Sequence, residues 1–327
     1  MKLLKFLLII FTIFNIVIGF SEARSNKKEK CNFKVYPGIS NDGMGNILIA
    51  GKPSDPKNES QVYVSGVYKI PIFGLGGSQI SRKLDINGEV LNGGSNSMSI
   101  NLFFGYLPKS NIYYFRMNNA GQPLFSILKP SSSSSSSLKK VFNIHNTPFV
   151  PTVNGNTFIY GAYGIFRLNK LPEDVSDSQQ SIQLYKDQII NGLSFDNENK
   201  TIIYMSTYQG TFLKGNINCI NCTKDQLELI GNDENAKSTT DFLVYEDMMY
   251  FSYSSGIKGF SKSGGKTIQL ISNENVISMV QVNGKIYFST NDGTIKSIKL
   301  PSSSSSPSST SNQPKIIFNP SNYHNCE

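Results

Sequence analysis

Two histidines, four cysteines and sixteen tyrosines are the groups from which this 327-residue chain could build a reactive or binding site. Nucleophilic catalysis needs a base beside the nucleophile. The only imidazoles are His145, among asparagines ahead of Pro148, and His324, in the Asn-Tyr-His-Asn-Cys stretch near the end. No Gly-x-Ser-x-Gly elbow accompanies them, so no catalytic residue is assigned. Gly74-Leu-Gly-Gly77 is glycine-rich but has no helix pattern behind it, which argues against phosphate-loop or dinucleotide chemistry. Cys219-Ile-Asn-Cys222 has the spacing of a redox pair. It lacks the flanking βαβ pattern and the helix start that would lower a thiol pKa, so a plain disulfide is expected. No second ligand pair stands at zinc-site spacing, and no metal ligand is assigned. Oxygen ligands for calcium leave no linear signature outside dedicated loops, so calcium stays open as a cofactor.

The N-terminus reads as an address. Lys2 and Lys5 precede an apolar run over residues 6–20, and Ser21-Glu22-Ala23 supplies small residues for cleavage after Ala23. Residues 1–23 are therefore expected to be a signal peptide; the alternative is an uncleaved anchor, for which the run is short of the ~20 residues a bilayer needs. Residues 24–30 form a basic tail. Sequons at Asn58, Asn199 and Asn221 agree with a secreted, extracellular glycoprotein. So does the even cysteine count, for which the pairing Cys31–Cys326 with Cys219–Cys222 is favoured. A formal charge of +8 is spread along the chain, and with that address it does not suit nucleic-acid binding.

Self-comparison supplies the architecture. Asn156-Thr-Phe-Ile-Tyr160, Lys200-Thr-Ile-Ile-Tyr204, Asp247-Met-Met-Tyr250 and Gly284-Lys-Ile-Tyr287 each lead through a short polar turn to Gly164, Gly210, Gly256 or Gly293 and a second strand. Weaker copies carry Tyr114 and Tyr63, and the six tyrosines are separated by 51, 46, 44, 46 and 37 residues. That period fits four-stranded propeller blades of ~40–50 residues. The glycine suits a tight turn that needs positive φ. The expectation is an all-β protein: one β-propeller domain over residues 31–327, with six four-stranded blades. Cys31, Cys326 and a last strand Lys315–Phe318 added to the first blade would close the ring. An open stack of β-sandwiches is the alternative. Serine-rich segments at 130–137 and 301–314 are expected as solvated insertions.

The stretch Ile286-Tyr-Phe-Ser-Thr-Asn-Asp-Gly-Thr-Ile295 resembles the repeat of quinoprotein-like propellers within the six-bladed superfamily. That resemblance implies the fold. The chain has no Trp, which those repeats use for docking blades, so quinone or metal binding is not carried over.

If the repeated hairpins join the second and third strands of each blade, their turns place Tyr163, Tyr208, Tyr253, Asn291 and Asp292 on one rim. Tyrosine offers a stacking face and a hydroxyl, a combination suited to sugars and peptides. A secreted binding module for a glycan or protein partner is therefore the leading expectation. The alternatives are a secreted hydrolase or lactonase with channel-bound calcium, and a structural matrix or coat protein.

Overall fold

The computed structural model describes residues 32–54, 66–72, 81–85, 99–107, 112–119, 122–129, 137–142, 149–151, 157–168, 181–301 and 313–322. The proposed signal peptide and basic tail, Cys31, Cys326, Asn58, Tyr63, His145, His324, the glycines 74–77 and most of both serine-rich segments lie outside them.

The described strands form six four-stranded antiparallel sheets, each made of consecutive strands. The first holds β1 (Asn32–Asn41), β2 (Asn46–Ser54), β3 (Gly66–Pro71) and β4 (Ser81–Asp85). The second holds β5 (Ser99–Leu107), β6 (Ile112–Asn119), β7 (Gln122–Lys129) and β8 (Ser137–Phe142). The third holds β9 (Phe149–Pro151), β10 (Thr157–Gly161), β11 (Gly164–Leu168) and β12 (Ser181–Tyr185). The fourth holds β13 (Ile190–Phe195), β14 (Ile202–Thr207), β15 (Thr211–Asn216) and β16 (Glu228–Asn232). The fifth holds β17 (Asp241–Tyr245), β18 (Met248–Tyr253), β19 (Gly256–Ser261) and β20 (Ile268–Ser272). The sixth holds β21 (Val276–Val282), β22 (Lys285–Thr290), β23 (Ile295–Lys299) and β24 (Lys315–Phe318).

Burial falls from the second strand of a sheet to the fourth. In β14, β18 and β22 every residue after the first is buried on whichever face it points to, whereas β16, β20 and β24 are largely exposed. Near-continuous apolar strands such as Met-Met-Tyr-Phe-Ser-Tyr are what a sheet covered on both faces requires. The cores accordingly lie between sheets. Phe212 of the fourth sheet packs against Phe242, Phe251 and Phe260 of the fifth. The sixth sheet packs on the first, where Tyr287, Ile295 and Phe318 join Phe33, Ile39 and Tyr68. First strands also meet directly, β1 lying against both β5 and β21.

Register refines the repeat. In all six sheets a bulge interrupts the pairing of third and fourth strands, directly after Val67, Phe125, Ile165, Phe212, Ile257 or Ile295. Tyr160 therefore occupies the place of Ser206, Ser252 and Ser289, and Phe158 the place of Tyr204, Tyr250 and Tyr287. In the third sheet Phe158 stands where the fourth, fifth and sixth sheets have tyrosine, and Tyr160 follows two residues later, which shifts a match made on tyrosine. The second strand of the first sheet is β2, well upstream of the expected copy at Tyr63, because a long connection separates β2 from β3.

Two further expectations are corrected. Lys315–Phe318 pairs with β23 and completes its own sheet rather than adding to the first. Its side chains cross over, Ile317 packing on the shared cluster and the Phe318 ring standing 5.8 Å from that of Phe33. Ser137, expected in a solvated insertion, is the first residue of β8.

Candidate functional site at the hairpin-tip face

In an up-and-down sheet, the turn between strands two and three and the exit from strand four lie at the same end. The chain ties these segments together there. Tyr208 N–H donates to Ile189 O at 3.0 Å, Asp233 N–H to Gly210 O at 2.9 Å and Asn291 N–H to Asn275 O at 3.2 Å. Glycine is required at the tips by contact as well as by φ. A Cβ on Gly164 or Gly256 would collide with the carbonyl oxygen of Tyr185 or Ile271 in the outer strand.

The five rim residues separate into different roles. Tyr163 is 80% exposed and Tyr208 64% exposed, at the tips of neighbouring sheets. Ile189, 50% exposed, leads from the third sheet into the fourth beside Tyr208. Tyr253 is only 8% exposed. It pairs with Gly256 inside the strand ladder, the place that Gly161 takes in the third sheet. Its hydroxyl donates to Gln269 Oε1 at 3.1 Å, and Lys258 Nζ stands 5.6 Å from its ring centre. Asn291 and Asp292 are exposed, but Asp292 is spent on the turn. Its Oδ1 accepts from Thr290 Oγ1 at 2.5 Å and Thr294 N–H at 3.0 Å, and its Oδ2 accepts from Thr294 Oγ1 at 3.0 Å. Partial burial works to raise its pKa, but these bonds and the Lys296 charge hold the carboxyl below the usual range. Among the described residues, the exposed apolar groups of this face thus gather in one sector, Tyr163–Ile189–Tyr208, while the tips of the fifth and sixth sheets present Ser254, Ser255, Asn291 and Asp292. Ile189 escaped the sequence reading because it belongs to no repeat. Its signal is a pair of isoleucines, Ile189-Ile190, after Lys186-Asp187-Gln188, of which only the second is buried.

The first strands carry a second set of polar groups. Ser40 Oγ accepts from Tyr106 N–H at 3.2 Å, Ser194 Oγ from Val244 N–H at 3.2 Å and Ser278 Oγ from Ile39 N–H at 3.3 Å. Asp241 Oδ2 accepts from Met279 N–H at 2.6 Å and from Ser278 Oγ at 3.0 Å. Each acceptor serves a strand-edge N–H of the next sheet, which would otherwise go unpaired. Burial pushes the Asp241 carboxyl up to about 6, against the pull of its three hydrogen bonds. Every partner of Asp241 is structural, so this carboxyl reads as a tie. Among the described residues no group of three or more His, Cys, Asp and Glu side chains comes together that could hold a metal ion. No constellation for channel calcium is found there.

Cys219 and Cys222 form a disulfide. Their loop reaches back to the third sheet, where Cys222 N–H donates to Leu184 O at 2.8 Å and Lys186 N–H to Cys222 O at 3.1 Å. The segment thus covers the free edge of β12. Asn221 in this loop and Asn199 in the turn between β13 and β14 are both exposed, Asn199 at the end of the fourth sheet opposite Tyr208. No helix of the described residues is long and apolar enough to cross a membrane.

No protein-family model matches the chain. Over 304 residues it is 39% identical to the SrfA-induced gene K protein of Dictyostelium discoideum, an alignment covering 90% of this chain and 68% of that protein. The chain belongs to that protein's family. Solved structures with similar coordinates are propeller-type. A PQQ-bound aldose sugar dehydrogenase from Streptomyces coelicolor superimposes with a TM-score of 0.54 at 9% identity, over 88% of this chain and 97% of that one. A gluconolactonase from Xanthomonas campestris gives a TM-score of 0.50 at 12% identity, over 84% and 88%. At such identities the likeness extends to the fold alone: this member of the family is an all-β, propeller-type protein.

Proposed function

We propose that the chain is a secreted binding module, a single six-bladed propeller domain that takes a glycan or protein partner on its hairpin-tip face. The observation that carries this reading is the pair of exposed rings, Tyr163 and Tyr208, on adjacent tips with Ile189 between the sheets that bear them. Large rings on rigid hairpins lose little conformational freedom on binding, which favours contact with a partner. Secretion accords with the apolar N-terminal run and with the Cys219–Cys222 disulfide, since disulfides persist in oxidising compartments. Cys31 and Cys326 complete the reading as a second disulfide. Cys31 stands two residues before Phe33, and Phe33 packs on Phe318 from the far end of the chain.

The test compares wild type, the double variant Tyr163→Ala/Tyr208→Ala and the control Ser254→Ala/Ser255→Ala on a glycan array and against purified extracellular-matrix proteins. A ligand held by wild type and control but lost by the folded double variant supports the reading. Equal retention by all three rejects this sector.

A further inference from the structure

The fourth sheet carries two sequons, and their local geometries differ. In the turn between β13 and β14, Asn199 Oδ1 accepts from Thr201 N–H at 3.0 Å and from Thr201 Oγ1 at 2.7 Å. The turn itself is fixed by Asp196 Oδ1, which accepts from the N–H groups of Glu198 and Asn199 at 2.9 Å each. The hydroxyl that defines the sequon is thus bonded to the acceptor amide, and among the described residues no hydrogen bond occupies Asn199 Nδ2.

At Asn221 the pairing of the amide with the sequon threonine is missing. The residue sits at φ 55°, and its N–H is spent on Gln183 O at 2.9 Å. The middle residue of the sequon, Cys222, is buried and bonded to Cys219. Thr223 is the N-cap of the 3-10 turn Lys224–Gln226, its N–H donating to Gln226 Oε1 at 3.0 Å. The disulfide and this cap span only a few neighbouring residues, so they can form before the rest of the sheet.

We infer that Asn199 is an oligosaccharide acceptor and that Asn221 is kept bare by its own disulfide loop. This rests on the reading that the chain is secreted. In the reaction, Asn199 Nδ2 bonds to the anomeric carbon of an oligosaccharide carried on a diphosphate. The bond from that carbon to the diphosphate oxygen breaks, and one amide proton is lost to a base. A glycan at Asn199 would stand at the end of the sheet opposite Tyr208, away from the Tyr163–Ile189–Tyr208 sector.

The full chain is expressed in a eukaryotic secretory cell, and occupancy is mapped by peptide mass spectrometry after enzymatic glycan release in heavy-oxygen water. Asn199 is expected to be modified in most molecules, severalfold more often than Asn221. On gels Thr201→Ala is expected to remove one glycan and Thr223→Ala none, and Cys219→Ser to raise Asn221 occupancy severalfold. If Asn221 is modified as often as Asn199, or if Thr201→Ala leaves the mobility unchanged while Asn58 is occupied, the inference is overturned with secretion intact. If Asn58, Asn199 and Asn221 are all bare, the secretion reading falls and the inference with it.

Discussion

Replacing Ser278 by alanine removes one hydroxyl that links three sheets. Its Oγ accepts from Ile39 N–H of the first sheet and donates to Asp241 of the fifth, while Ser278 itself lies on β21 of the sixth. Without it the buried Ile39 N–H loses its acceptor, a cost of about 1–3 kcal/mol. The ionised Asp241 also loses a donor, and a hydrogen bond to a charged group contributes about 1.5–3 kcal/mol. The second effect depends on pH, and its sign follows from the upward shift of Asp241 from 3.8 to about 6. In wild type this carboxyl stabilises the fold when protonated, and that contribution is lost as pH rises through about 6. Removing a donor raises the folded pKa further and deepens the penalty at neutral pH. Ser278→Ala is therefore expected to cost about 1–3 kcal/mol at pH 5 and distinctly more at pH 7.5. Urea unfolding at both pH values measures this, with exposed Ser254→Ala as the control. An equal cost at both pH values, or one no larger than that of the control, would refute the reasoning.

Phe212→Ala empties the centre of the aromatic cluster between the fourth and fifth sheets and is expected to cost about 3–5 kcal/mol by urea unfolding. Lys258→Met removes the cation from Asp233, whose two carboxylate oxygens accept from Lys258 Nζ at 3.3 and 3.0 Å but also from Thr267 Oγ1 and Asn235 N–H, and should cost about 1–3 kcal/mol. Adding Asp233→Asn to that variant should recover part of the loss, measured as a double-mutant cycle. Replacing both Cys219 and Cys222 by serine opens a loop of only four residues, for which the chain-entropy relation gives about 2 kcal/mol. Hydrogen exchange at Lys186, whose N–H donates to Cys222 O, should quicken in the same variant, because the covering segment is no longer held on β12.

Much of the fold was legible because the repeat is written in residues whose roles are local. Gly164, Gly210, Gly256 and Gly293 mark turns that need positive φ, and the apolar pairs before them mark strands buried on both faces. What the sequence hid was register. Matching tyrosine to tyrosine set Tyr160 beside Tyr204, although pairing across the bulges aligns Phe158 there. The same offset made Tyr253 look like a rim residue, when it is a strand position whose ring folds back on Gln269. The ties between sheets were illegible for another reason. Ser40, Ser194, Asp241 and Ser278 are ordinary polar residues until the strand edges they serve are brought beside them. The Tyr163–Ile189–Tyr208 sector likewise joins residues from two sheets and an unrepeated connection, so no single repeat contains it.

Peptide mapping of the chain, expressed in a eukaryotic secretory cell, under non-reducing conditions tests most directly whether the first and last sheets adjoin and so set all the hairpin tips on one face. A linked fragment joining Cys31 to Cys326, alongside the Cys219–Cys222 loop, is the predicted result. Free thiols at both ends, or either terminal cysteine joined to Cys219 or Cys222, would contradict it.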